Sequence, residues 1–141
     1  MPVLDDLGIF LQDNGFGLLG QSLFLGMIPQ DAPGSGVQDQ ILGLFEAPGL
    51  PPRNTHDLLG PSVEMARIHL RFRGAPFGYE TARGMAGEAY KLLGSVVNQT
   101  INGVFYQQIT VLNGPFGMPQ DEWNRPFIVV EVLCARDAQA S

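Results

Sequence analysis

The chain has 141 residues, enough for one domain that buries roughly two-thirds of the surface it exposes when unfolded. Only 16% of residues are charged, while 18 glycines and 11 prolines make up about a fifth of the chain, against ~12% on average. With a net charge of −6 and eight Lys and Arg, this excludes a disordered acidic tail, a coiled coil, a collagen-like chain and a general nucleic-acid binder, which needs a basic patch.

Val3 to Asn14 opens the chain with apolar residues at Val3, Leu4, Leu7, Phe10 and Leu11, the one-face spacing of an amphipathic helix. Asp5, Asp6, Gln12 and Asp13 fall on the other side, and Asn14-Gly15 supplies a left-handed stop. Ser22–Ile28, closed by Pro29, reads as a strand. Gln40–Ala47 reads as a second, with Gly43 as a bulge or close-packing point. Two loops rich in Gly and Pro, Pro29–Asp39 and Pro48–Pro61, bracket that second strand. Both are long for a compact domain, so they read as contact-making arms or as surface slack.

Ser62–Arg73 is the clearest strand. Ala66, Ile68, Leu70 and Phe72 alternate with Arg67, His69, Arg71 and Arg73, a period of two. Tyr79–Val97 returns to helical spacing through Ala82, Ala86, Ala89, Leu93 and Val97. Its small residues, with Gly84, Gly87 and Gly94, would let it lie close on a sheet. Asn102-Gly103 between β-formers predicts a tight hairpin joining a strand that ends at Ile101 to one running to Leu112. Asn113–Asn124 reads as a loop, Arg125–Ala135 as the last strand, and Arg136–Ser141 as a frayed tail. The order is helix, three strands, helix, three strands. It predicts a single α+β domain, a mainly antiparallel sheet with both helices packed on one face. Leu7, Phe10, Leu11, Ile68, Leu70, Phe72, Ala86, Ala89 and Leu93 should be buried together.

Chemistry is sparse in the sequence. The lone Cys134 gives no disulfide framework and no Cys-based zinc site, and His56 and His69 need carboxylates to hold a metal. No cofactor, metal or catalytic residue is therefore expected. Gly15-Phe16-Gly17-Leu18-Leu19-Gly20 matches Gly-x-Gly-x-x-Gly, but it follows a helix and precedes a strand, the reverse of a dinucleotide site. His56-Asp57 reads as half of a dyad or as a loop brace. Cys134 reads as a small core residue, and Asp121-Glu122 as solvated acids. Acids stand at the start of the chain where a signal peptide carries Lys or Arg, and no run of eighteen apolar residues occurs. No export signal, no membrane span and a reducing cytoplasm are expected.

The row Arg67, His69, Arg71 and Arg73 needs carboxylates, because same-face residues stand only ~6.8 Å apart. Glu46 or Glu131 can supply them within the sheet. Alternatively the row meets an acidic neighbour, and these four residues are the candidate subunit or partner contacts.

Taken together, the helix ending in DNGFGLLG, the strand SLFLGMIP and its Pro-rich loop, the strand VEMARIHLRFRG, the helix ETARGMAGEAYKLL and the hairpin INGVFYQQITVLNGPF cover about Leu4 to Val132. The pattern resembles the tail terminator proteins (minor capsid or tail completion proteins) of long-tailed bacteriophages and phage-like particles. The resemblance implies a non-enzymatic virion protein with an α+β fold, assembled in the host cytoplasm as a six-membered ring. Such a ring caps the tail tube at the head-proximal end and joins it to the head connector. Tube protein, connector or completion protein and sibling subunits would be its partners. DNA would pass through without specific binding. The long Pro48–Pro61 loop and the single lysine depart from the pattern. A head-completion or connector ring protein and a cytoplasmic α+β binding domain are the other classes the sequence leaves open.

Overall fold

The computed structural model describes residues 3–32, 39–47, 53–54 and 61–137. In chain order they form α1 (Val3–Asp13), β1 (Leu23–Leu25), β2 (Ile41–Ala47), β3 (Arg53–Asn54), β4 (Pro61–Arg73), α2 (Tyr79–Gly94), β5 (Val97–Ile101), β6 (Val104–Met118) and β7 (Phe127–Asp137). The strands make one sheet in the order β1-β2-β4-β7-β6-β5, with the two-residue β3 paired to β4 beside this path. Only β1 and β2 run parallel; every other pairing is antiparallel. This is the expected α+β architecture, with β3 added inside the Pro48–Pro61 segment. The remainder of that segment, His56 and Asp57 included, lies outside the described residues, as do residues 33–38 of the first long loop.

One face of the sheet carries the core. Ile68, Leu70 and Phe72 of β4 and Ile128, Val130, Val132 and Cys134 of β7 point to the same side, where α1 lays Val3, Leu7 and Leu11 and α2 lays Ala82, Ala86, Ala89 and Leu93. Phe10 joins only partly buried. The alanines set the close approach of α2. Gly84 and Gly87 face open space instead, so they have no part in the packing that the sequence assigned to them. Burial holds the Cys134 thiol high, at about 12, as befits a small core residue.

Local chemistry explains the boundaries. Helix α1 ends as Asn14-Gly15 requires: Gly15 is left-handed (φ 84), its N–H bonds Gln12 O at 3.1 Å, and Phe16 N–H bonds Leu11 O at 2.9 Å. Asn102 and Gly103 both take positive φ, 51° and 77°, the turn that matches strand twist. Helix α2 stops at Gly94, three residues before the expected end, because Val96 enters the core and Val97 begins β5.

The largest departure is β6, which runs through Asn113-Gly114-Pro115 to Met118 where the sequence reads as a loop. Strand β5 pairs only Val104–Gln108, so the far half of β6 has an open edge on which Pro115 loses no ladder bond. The kinks are absorbed by register shifts on the β7 side. Gly114 is required there, since a Cβ would stand 3.0 Å from Val130 Cα. At the other end of the chain β7 continues through Arg136 and Asp137. Those two residues are therefore ordered strand and not tail, while 138–141 lie outside the described residues.

Candidate interface on the open sheet face

The second face of the sheet is where the predicted site residues lie, by strict alternation along β4. Register places Arg67 beside Leu133, His69 beside Glu131, Arg71 beside Val129 and Arg73 beside Phe127. Glu131 is the carboxylate that serves the row. Arg67 Nε stands 3.3 Å from one of its oxygens, and His69 Nε2 3.2 Å from the other. Asn113 Nδ2 donates to the His69-side oxygen from β6 at 3.4 Å. Glu46 cannot compete, because it pairs in register with Ile68 and so points to the helix side.

Arg71 behaves differently. It is exposed, and its guanidinium lies 4.7 Å above the Phe45 ring with no carboxylate beside it among the described residues. Its stem also lines a hollow of about 200 Å³ with Met118, Pro119, Phe127 and Val129. Farther along the same face, Val63, Met65, Leu133 and Ala135 line a second hollow of about 390 Å³ together with Gln107, Gln108 and Thr110. The face is thus ion-paired in the middle, apolar at the Arg71 end and mixed at the other.

Arg73 leaves the row. It has the right parity, but it is 1% exposed, because the chain after β1 crosses this corner of the sheet. Ile28 seats directly on Gly43, where a Cβ would collide with it. Arg73 then donates from Nη1 to the Pro29 carbonyl and from Nε to the Asp39 carbonyl at 2.9 Å, tying together the two ends of the first long loop. Desolvation by burial, and then the charge of Arg125, lower its pKa. It is not available as a surface contact.

Arg125 completes this corner and was not visible from the sequence. Fully buried, it bonds Asp121 Oδ2 at 2.7 Å from Nε, meets Asp39 Oδ1 at 3.3 Å from Nη1, and lies 4.8 Å from the Trp123 ring centre. Burial disfavours the Asp121 charge. Hydrogen bonds from the Arg125 backbone and side chain and from Trp123 N–H outweigh it, and its pKa falls. Asp121 is therefore a brace for Arg125 and not half of a solvated acid pair.

A second buried cluster was also missed. Asp6, expected on the solvent side of α1, is fully buried. It accepts from Tyr106 OH at 2.6 Å, Asn102 Nδ2 at 3.0 Å and Arg136 Nη1 at 2.7 Å, while Arg136 Nε bonds Glu64 at 2.9 Å. Burial and the Asp6 hydrogen bond push the Tyr106 hydroxyl well above its usual pKa. Burial opposes the Arg136 charge, but bonds to Glu64 and Tyr106 prevail and raise its pKa.

No family model, curated protein or solved structure matches the chain. Among the described residues, no group of three or more His, Cys, Asp or Glu is placed to hold a metal ion, and no helix is long and apolar enough to cross a membrane. What the site offers chemically is recognition: a strand surface with one exposed guanidinium, a shared carboxylate, and one apolar and one mixed hollow.

Proposed function

We propose that this protein is a structural component of a phage or phage-like particle, a tail terminator whose copies close into a ring, six by the resemblance. The ring caps the tail tube and joins it to the head connector. The observation that carries the reading is the open sheet face, which displays Arg71 and two hollows on a strand surface backed by both helices. The order of elements, helix, three main-path strands with the short β3 beside them, helix, three strands, supports it by agreeing with what the resemblance implies. Low charge density supports it as well, since the centres of subunit interfaces are poor in charge.

DNA passes through such a ring without being held. At −6 per subunit, six copies would carry about −36, a field that repels a phosphate backbone. The test is electron microscopy of assembled particles carrying a labelled subunit, together with its mass in solution. Label at the head-proximal end of the tail supports the terminator. Label on the capsid side of the joint assigns the chain to head completion, and a monomer both in solution and on the particle ends the ring reading.

A further inference from the structure

The acidity of the chain is not spread evenly. Residues 1–52 contain Asp5, Asp6, Asp13, Asp31, Asp39 and Glu46 and no Lys or Arg, so the whole net charge of −6 resides there. Every one of the eight Lys and Arg lies from Arg53 onward, balanced by acids in that part of the chain. Asp6 and Asp39 are consumed by Arg136 and Arg125. Asp5, Asp13 and Glu46 reach the surface with no ion pair among the described residues. Asp5 and Glu46 line one depression of about 360 Å³ with Leu4, Gly26 and Phe45.

Arg71, a cation with no ion pair on the open face among the described residues, is close by along the strand pairing, with its guanidinium turned to the other side. Phe45 points to the open face and takes Arg71 on its ring, whereas Glu46, the next residue, points to the helix face beside α1. Phe45 carries Arg71 on its ring and also lines the depression, so the two charges flank one residue at the end of β2, and they form no ion pair there. They can be matched between copies, and a head-to-tail contact does so at every junction.

We infer that neighbouring copies associate through this pair of surfaces: the Arg71 end of the open face of one copy packs against the Asp5–Glu46 depression on the helix side of the next. The inference rests on the ring reading and assigns its interface. A heterologous contact of this kind repeats in one direction and closes when the rotation allows, which is the geometry a ring needs. Phosphate is the weaker match for Arg71, because its surroundings on this face are apolar and the chain is acidic overall.

The test uses the full chain and two exposed positions, Arg71→Glu and Glu46→Arg, with molar mass measured by light scattering across a concentration series. Each variant alone should move the assembly midpoint to higher concentration by on the order of tenfold or more, since attraction becomes repulsion across a close contact. Circular dichroism and the melting temperature should stay at the wild-type values, which separates lost contact from lost folding. An equimolar mixture of the two variants should regain the wild-type assembly, because alternating copies restore an opposite-charge pair at every junction. Assembly of either variant like the wild type, or a mixture that stays dissociated although both variants fold, overturns the interface while leaving the ring intact. A wild type that is monomeric alone and on tail tubes overturns the ring reading and this inference with it.

Discussion

Two ionic clusters in this protein use the same side-chain chemistry to different ends. Around Asp6, an acid with no solvent access receives a tyrosine and an asparagine from the β5–β6 hairpin and an arginine from β7. Around Glu131, an acid on the open face is shared by Arg67 and His69, both about a third exposed. Water still solvates the second cluster, so its members remain tolerant of change and free to be rearranged by a partner. The first has less reserve: Asp6 and Tyr106 have no solvent access, so breaking their bond leaves buried groups without water to replace it. The contrast separates groups that specify the fold from groups that face outward.

Breaking the buried cluster should give the largest effect. Asp6→Ala strands Arg136 and Tyr106 in the interior and should cost about 3–5 kcal/mol in urea unfolding, and Asp6→Asn should recover only part of it. The core beneath the two clusters supplies a scale: Leu70→Ala, at a fully buried position on β4, should cost about 2–5 kcal/mol by the same measurement. Glu131→Gln on the open face should cost under ~1 kcal/mol, and the loss should shrink further in 1 M salt. If Glu131→Gln costs as much as Asp6→Ala, the division between the clusters is wrong.

The smallest effect concerns acid. The Asp121 carboxyl has a folded pKa below its unfolded value near 3.8. Its contribution is therefore fully present above the unfolded pKa and is lost as pH falls through the folded one. Chemical unfolding between pH 5 and 2 should show the wild type losing more stability than Asp121→Asn on the acid side of pH 4. Parallel pH profiles for the two proteins would remove Asp121 as the brace of Arg125.

The alternation of Arg67 to Phe72 and the Asn102-Gly103 turn were legible in the sequence because each is a local rule, a period of two or a pair of positive φ angles. The helical stripe from Ala82 to Leu93 was legible for the same reason. Asp6 was not. A lone acid on an amphipathic helix reads as solvated, and the residue that justifies its burial, Arg136, is 130 positions away. Arg73 shows the same limit on a finer scale. Alternation put it on the correct face, but nothing local announces that Ile28 and Pro29 cross over that corner. The strand through Gly114-Pro115 was hidden because the shortness of β5, and hence the free edge, is a property of the assembled sheet. In the candidate site, the residues are legible and their partners only in part: the sequence offers Glu46 or Glu131, of which only Glu131 lies on the open face, and it does not show the Phe45 ring under Arg71.

The Asp6 cluster also bears on how the chain is made. Synthesis runs from α1 toward β7, so the helix leaves the ribosome long before Arg136 exists. At ~5–20 residues per second the interval is roughly 7–26 s. Throughout that time the acid has no guanidinium to receive it, and only Asn102 and Tyr106, once made, can bond Asp6. Docking of the first element is thus completed only by the last, and a chain truncated before that point seats Asp6 without its guanidinium.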